Sequence, residues 1–344
     1  MDHLAIDVGG RESQTCLRSS DGTVVQEKRL LTRSLPAMFQ SLQPSRVVME
    51  TCAESLWLAD AARSAGHDVR VVPATLAPML GVGARGTKTD RRDAQALSEV
   101  SCRIELPSVH VSSARSRELK AQLSMHEGLV GSRTMLINTV RGWMRTTGDR
   151  CRTGGTETFP ARVRAALGAS VPAYIERQLQ AIDQLNAAIA ESERELAKNA
   201  KSDAVASTLM TVPGVGPLTA LSFVATLDTL ERFADAHHVQ AYLGLTPGEH
   251  SSSDRQRRTG ITKAGSRRMR WLLVQAAWAA RRSRRARSSP LVQWSLQVEK
   301  RRGKGVAVVA MARKLTGILF AMWRDGSPYQ ELRAAKVVLE SGAS

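Results

Sequence analysis

The chain has 344 residues, a length that fits about two domains of roughly 150 residues each. Its 49 Lys and Arg against 32 Asp and Glu give a formal charge of +17, and 16 of those bases lie between Arg255 and Lys304 with a single acid, Glu299. A local patch over a near-neutral chain points to a polyanion, nucleic acid before anionic membrane; 42% apolar residues exclude a disordered basic tail, and 4% aromatics argue against recognition by base-stacking platforms.

The first residues, MDHLAIDVGG, open on a strand-like run with neither the cationic nor the apolar segment of a secretion signal. LAIDV (4–8) is a strand, and QTCLRSS and TVVQEKRLL flank Asp21 and Gly22 as a hairpin. SRVVME (45–50) is a short buried strand, a helix follows from Glu54 to Ala65, Gly66 stops it, and HDVRVVP (67–73) adds another strand. This order predicts a ribonuclease-H-like mixed sheet over residues 1–110. A Rossmann fold fits poorly, because no glycine-rich turn follows the first strand with an acid downstream. The GxGxxG match at residues 81–86 precedes no dinucleotide-type unit and reads as a glycine loop, and the chain has no P-loop.

Residues 111–203 read as a helical arm. Ile175, Ile182, Ile189 and Leu196 repeat every seven residues with Leu179 between, and Asn186 and Glu193 then interrupt the seam. Such a seam either packs within the chain or dimerises as a coiled coil. Residues 148–160 break the pattern as a hairpin loop. Residues 204–344 read as mainly helical. VPGVGPLTA (212–220) is a helix-hairpin-helix type signal, in which Gly214 and Gly216 allow backbone N–H groups to face a phosphate. A polar loop, GEHSSSDRQRRTG (248–260), then leads into the basic segment. Trp271 and Trp278, seven apart on one helix face, and Trp294 are expected in the core. Arg313 and Lys314 interrupt the apolar stretch 306–323, which argues against a membrane span. Cys16, Cys52, Cys102 and Cys151 form no CxxC pair and suggest neither zinc nor a disulfide framework. The expectation is a soluble, cytoplasmic protein associated with the nucleoid, with no membrane partner.

Four acids stand out. Asp7 lies in the first strand, Glu50 ends the fourth, and Asp90 and Asp93 share one face of a helix that Thr89 is placed to cap. Each alone reads as a solvated or salt-bridged carboxylate, with Arg91 and Arg92 as available partners. Together, at matched positions of one fold, they suit divalent cations, which offset the cost of clustered carboxylates and assist phosphoryl transfer.

The run IDVGG, VVMETCAES and KTDRRDAQAL resembles the N-terminal DEDD domain of insertion sequence 110 family transposases, related in fold to the Holliday-junction resolvase RuvC. AYLGLTPGEHSSSDRQRRTGITKAGSRRMRWLL resembles the family's C-terminal domain. The chain departs from the family pattern at Gly9-Gly10, at Thr51-Cys52-Ala53 and at Ser253, where the family usually has Gly. The resemblance implies a metal tetrad of Asp7, Glu50, Asp90 and Asp93 holding Mg2+ (or Mn2+), and a nucleophilic serine at Ser252, with Ser251 its rival. Arg255, Arg257, Arg258 and Lys263 are placed to hold phosphate oxygens, joined by Arg267, Arg268, Arg270, Arg281, Arg282, Arg284 and Arg285. It further implies donor and target DNA, a bridge RNA, and a homo-oligomer between dimer and tetramer whose active sites combine a tetrad and a serine from different subunits. The alternatives are a water-using, RuvC-like metal-dependent nuclease and a non-catalytic nucleic-acid-binding protein.

Overall fold

In the computed structural model the described residues are 1–76, 89–252 and 255–329, with the backbone alone for 249–252 and 255–258. The glycine run 81–86 and Ser253 lie outside them. The chain forms two compact units, Met1–Ser112 and Ser113–Ser344.

The first unit is a mixed α/β layer structure. β1 (His3–Asp7), β2 (Glu12–Arg18) and β3 (Val24–Leu31) form an antiparallel meander. Helix α1 (Leu35–Ser41), β4 (Arg46–Glu50), α2 (Ser55–Ser64), β5 (Asp68–Val72) and α3 (Asp90–Arg103) follow. The strand order is β3-β2-β1-β4-β5, with β4 parallel to both β1 and β5. The first turn is closed by Asp21, whose carboxylate accepts from the Thr23 N–H at 2.9 Å, and by Gly22 at φ +89°.

The short apolar runs follow from burial on both faces. Alternate side chains of each strand point to opposite sides of a sheet. Leu4, Ile6, Val47, Met49, Val69 and Val71 pack with Leu35 and Phe39 of α1 and Leu58 of α2. Ala5, Val48 and Val72 pack on the other side with Leu97 of α3 and Leu106. Helix α1 has no counterpart in the expected elements. Its seven residues are too few for a helical period to stand out, although Pro36 sits in its first turn.

The second unit is helical except for one hairpin. It comprises α4 (Ala114–Thr146), α5 (Phe159–Leu167), α6 (Ala173–Ser202), α7 (Ala204–Leu209), α8 (Pro217–Leu227) and α9 (Ala236–Tyr242). Then come β6 (Pro247–Ser252), β7 (Arg255–Ile261), α10 (Arg267–Arg282), α11 (Pro290–Arg302) and α12 (Lys304–Asp325). Helix α12 is long and apolar enough to cross a membrane by length and composition, yet 67% of that window is buried inside this unit, as suits a core helix. The heptad seam of α6 is covered from within the chain. Ile175, Leu179 and Ile182 pack on Ile137, Val140 and Met144 of α4 and on Phe159 and Val163 of α5. Where Asn186 interrupts the seam, its side-chain oxygen accepts from the buried Arg133 guanidinium at 3.0 Å. The seam's polar gap is therefore filled by a matched donor, and packing within the chain is the outcome.

Candidate functional site

Asp7 and Glu50 are the last residues of two adjacent parallel strands, each half-buried. Alternation places Asp7 with Ala5, and Glu50 with Val48, on the side of the sheet that α3 covers. The direction of α3 follows from its bonds. His3 Nδ1 and Ser101 Oγ lie 2.7 Å apart, and Arg18, the partner of His3 on β2, donates to Ser98 Oγ at 2.8 Å. One helical turn advances about 5.4 Å and two strand residues about 6.6 Å, so the helix steps back by four as the strand steps forward by two. Ser101 stands at His3 and Leu97 at Ala5; the next turn brings Asp93 to the level of Asp7, with Asp90 one turn beyond. Thr89 caps this helix, as its position predicts, accepting from the Arg92 N–H at 3.4 Å.

The two helix acids differ in setting. Asp93 is 5% exposed, whereas Asp90 opens the helix in solvent. Arg91 pairs with Glu27 of β3 at 2.5 Å. Bonds from Gln95 and Arg91 hold the Glu27 carboxyl below the usual carboxylate range. Four carboxylates offer hard oxygen donors, the chemistry that Mg2+ and Mn2+ take. Among the described residues no three acidic, histidine or cysteine side chains converge at metal-holding distance. The donor set thus fits a hard divalent cation in kind, and the two strand ends and the start of α3 are where it would be held.

The stretch expected as a polar loop is instead the β6–β7 hairpin. Its residues lack apolar alternation, so hydrophobic periodicity could not reveal the strands. Ser252 pairs with Arg255, Ser251 with Gln256 and His250 with Arg257. The base of the hairpin is a tight crossing of residues 242–246 and 261–265. Gly244 (φ +67°) and Gly265 (φ +81°) approach so closely that a Cβ on the first would strike Ala264 and on the second the Tyr242 carbonyl. Arg270 ties the crossing together, its Nη1 donating to the carbonyls of Leu243, Ala264 and Gly265 at 3.1, 2.9 and 3.0 Å.

The cations proposed for phosphate divide accordingly. Arg270 serves the crossing; Arg268 pairs with Glu127 of α4; and Arg281, 7% exposed, binds Glu299 and Ser295 of α11. Lys263, Arg267, Arg282, Arg284 and Arg285 remain at the surface, together with Arg287, Arg301 and Arg302, which belong to the same basic run but were not singled out in it. Arg255, Arg257 and Arg258 lie along β7.

Gly214 (φ +89°) has a structural reason of its own, since a Cβ there would strike the Ala276 carbonyl and reach Ala280 N of α10 at 2.8 Å. Gly216 caps α8 with open space around it. Trp271 corrects an expectation. The seven-residue spacing does put it on one face with Trp278, but Met269, Leu272, Leu273, Ala276, Ala277 and Ala280 form the buried stripe opposite. Trp271 is 59% exposed, whereas Trp278 and Trp294 are partly buried and pack against the core of this unit, with Lys304 Nζ 5.0 Å from the Trp278 ring centroid.

Comparison with known proteins bears on this arrangement. A family model described as "Transposase IS116/IS110/IS902 family" matches residues 206–293, from α7 through the hairpin into α11. A DEDD-type IS110 transposase model matches residues 4–148, from the sheet through α4. A Pseudomonas aeruginosa protein named "Probable family 20 transposase" is 30% identical over 307 residues, covering 87% of this chain and 90% of its own length. The chain belongs to the IS110 family of transposases. The transposase of insertion element IS1111A from Coxiella burnetii is 28% identical over 335 residues, covering 95% of this chain and 91% of its own. That of IS1328 from Yersinia enterocolitica is 26% identical over 336 residues, covering 95% and 98%. As an IS110-family transposase the chain is an enzyme of DNA strand transfer, which sets aside the non-catalytic reading. Its DEDD-type domain also points to a divalent metal requirement.

Proposed function

We propose that this transposase cuts and rejoins donor and target DNA through a covalent serine–phosphate intermediate, with Ser252 as nucleophile and Asp7, Glu50, Asp90 and Asp93 as the metal-binding tetrad. The observation that carries the reading is that both strand-end acids and the buried Asp93 lie on the α3 side of one sheet. The strand order, with its meander leading into strand–helix–strand, supports likeness to RuvC. The six-residue α7, the turn at 210–216 and α8 support a helix-hairpin-helix type element.

In the proposed step the Ser252 hydroxyl oxygen attacks phosphorus, the bond to the departing strand oxygen breaks, and that oxygen takes up a proton as the serine loses one. One phosphodiester is exchanged for another, so the bond energy is kept and rejoining needs no ATP. Bound Mg2+ supplies charge stabilisation at the phosphoryl oxygens and acidity at the attacking hydroxyl. The serine sits at the last described rung of the hairpin with Arg255 as its cross-strand partner, whereas Ser251 is paired with Gln256. Backbone pairing with an arginine supports position 252, because arginine is the residue type that binds phosphate oxygens through charge-assisted bonds. The surface cations Lys263, Arg267, Arg282, Arg284 and Arg285 hold the flanking backbone.

The bridge RNA and the oligomeric assembly remain parts of the proposal, with a tetrad and a serine from different subunits acting on one phosphate. Strand cleavage by the full chain with its element's end sequences and RNA tests the reading. Ser252→Ala and Asp7→Asn should each abolish cleavage while leaving DNA binding intact. Full cleavage by Ser252→Ala would instead establish the water-using nuclease.

A further inference from the structure

One surface feature of the second unit is not used by this chemistry. Between the base of the hairpin and the first turns of α12 lies a recess of about 720 Å3, within the range of about 300–1,000 Å3 that holds small ligands. Its walls are aliphatic: Leu245, Pro247, Ile261, Val306, Val309 and Ala310. Val306 stands 49% exposed there. Thr259, Gly260, Gly305 and the cations Lys263, Arg302 and Arg313 also line it, and no acid does so among the described residues.

Three details indicate that the recess is kept open. Gly305, in the first turn of α12, has no heavy atom within 4 Å of where its Cβ would stand. A glycine inside a helix is less favourable than alanine, and here packing does not require it. Gly260 on the opposite wall is equally free. Lys263 adopts φ +58°, a strained conformation for a non-glycine residue that recurs at binding sites. It is held there as its N–H donates to the Gly244 carbonyl at 3.1 Å, while the neighbouring Thr262 N–H donates to Thr246 at 2.9 Å.

An aliphatic slot with three cations in its lining suits an anion with a flat apolar body. We infer that the recess receives one unstacked nucleotide of a bound strand, its base between the aliphatic walls and its flanking phosphates on Lys263 and Arg302. Arg313, whose Nε donates to Gln240 at 2.8 Å, fixes the closed end. A base within a duplex cannot enter such a slot, so the nucleotide is turned out of its stack. Continuity with the hairpin supports this occupant, since Pro247 begins β6 and Thr259, Gly260 and Ile261 end β7. The inference rests on the reading that the protein works on nucleic-acid strands, but not on Ser252 or the tetrad.

The test uses the full chain and an oligodeoxyadenylate with 2-aminopurine at its centre, whose fluorescence is quenched while stacked. Saturating wild-type protein should raise the fluorescence several-fold. Gly305→Leu and Gly260→Val fill the recess from opposite walls; neither should lower the unfolding midpoint, and both should bind the strand without the rise. An oligoriboadenylate with the same probe identifies the source: a rise with the ribose strand alone makes the occupant RNA. No rise with either strand, no binding of either, or a full rise in both filled variants would overturn the inference. Ser252→Ala should give the wild-type rise, so loss of cleavage chemistry and loss of the pocket are separate results.

Discussion

Gly265→Ala is the substitution whose cost the structure sets most directly. At φ +81° an alanine pays about 1–2 kcal/mol for the left-handed backbone. Its Cβ also meets the Tyr242 carbonyl, a backbone atom that cannot rotate away, and such overpacking costs about 1–3 kcal/mol. The sum is roughly 2–5 kcal/mol, and the crossing that aligns the serine hairpin must spread to accept it. Gly260→Ala, with open space and no positive φ, is the control and should stay within about 0.5 kcal/mol of wild type. Guanidinium unfolding followed by tryptophan emission reports on the correct unit, because Trp143, Trp271, Trp278, Trp294 and Trp323 lie in 113–344 and only Trp57 does not. Equal midpoints for Gly265→Ala and Gly260→Ala would refute the tight crossing.

Four-carboxylate chemistry predicts that a chelator abolishes cleavage and that added Mg2+ or Mn2+ restores it, whereas Asp93→Asn stays inactive in every divalent metal; chelator-resistant cleavage contradicts this. Arg284→Gln with Arg285→Gln should reduce the slope of log affinity against log salt by about 1.8, if each neutralises one phosphate. Arg281→Gln should leave that slope unchanged and destabilise the fold by about 1.5–3 kcal/mol, because it leaves Glu299 without its guanidinium. Burial, reinforced by Arg313, pushes Lys314 down to about 8. Between that pH and the ordinary lysine value near 10.5 the unfolded chain keeps a proton that the folded chain has released, so stability rises with pH across this window. Lys314→Met should flatten the rise, and identical pH profiles for the two proteins contradict the assignment.

Legibility in the sequence followed the physics of each element. The sheet was readable because Leu4 to Ile6 and Val47 to Met49 are buried on both faces and leave compact apolar runs, and Val69, Val71 and Val72 are buried beside them. Thr89 and the three-residue spacing of Asp90 and Asp93 announced a capped helix. The hairpin was not readable, since its residues show no apolar alternation. Nor could composition separate the arginines: Arg267 and Arg268 are neighbours in one run, yet Glu127, 141 positions earlier, engages only the second. The same long-range dependence decided the α6 seam, where Arg133 supplies the partner that Asn186 needs. Trp271 shows the limit of periodicity, which fixed a shared face without saying which face met the core.

The central claim is the covalent serine step, and trapping on a suicide DNA substrate tests it most directly. The wild-type chain with Mg2+ should yield a protein–DNA adduct that peptide mapping places on Ser252, and Ser252→Ala should yield none. Cleaved DNA with no adduct, or an adduct that persists in Ser252→Ala, would contradict the account.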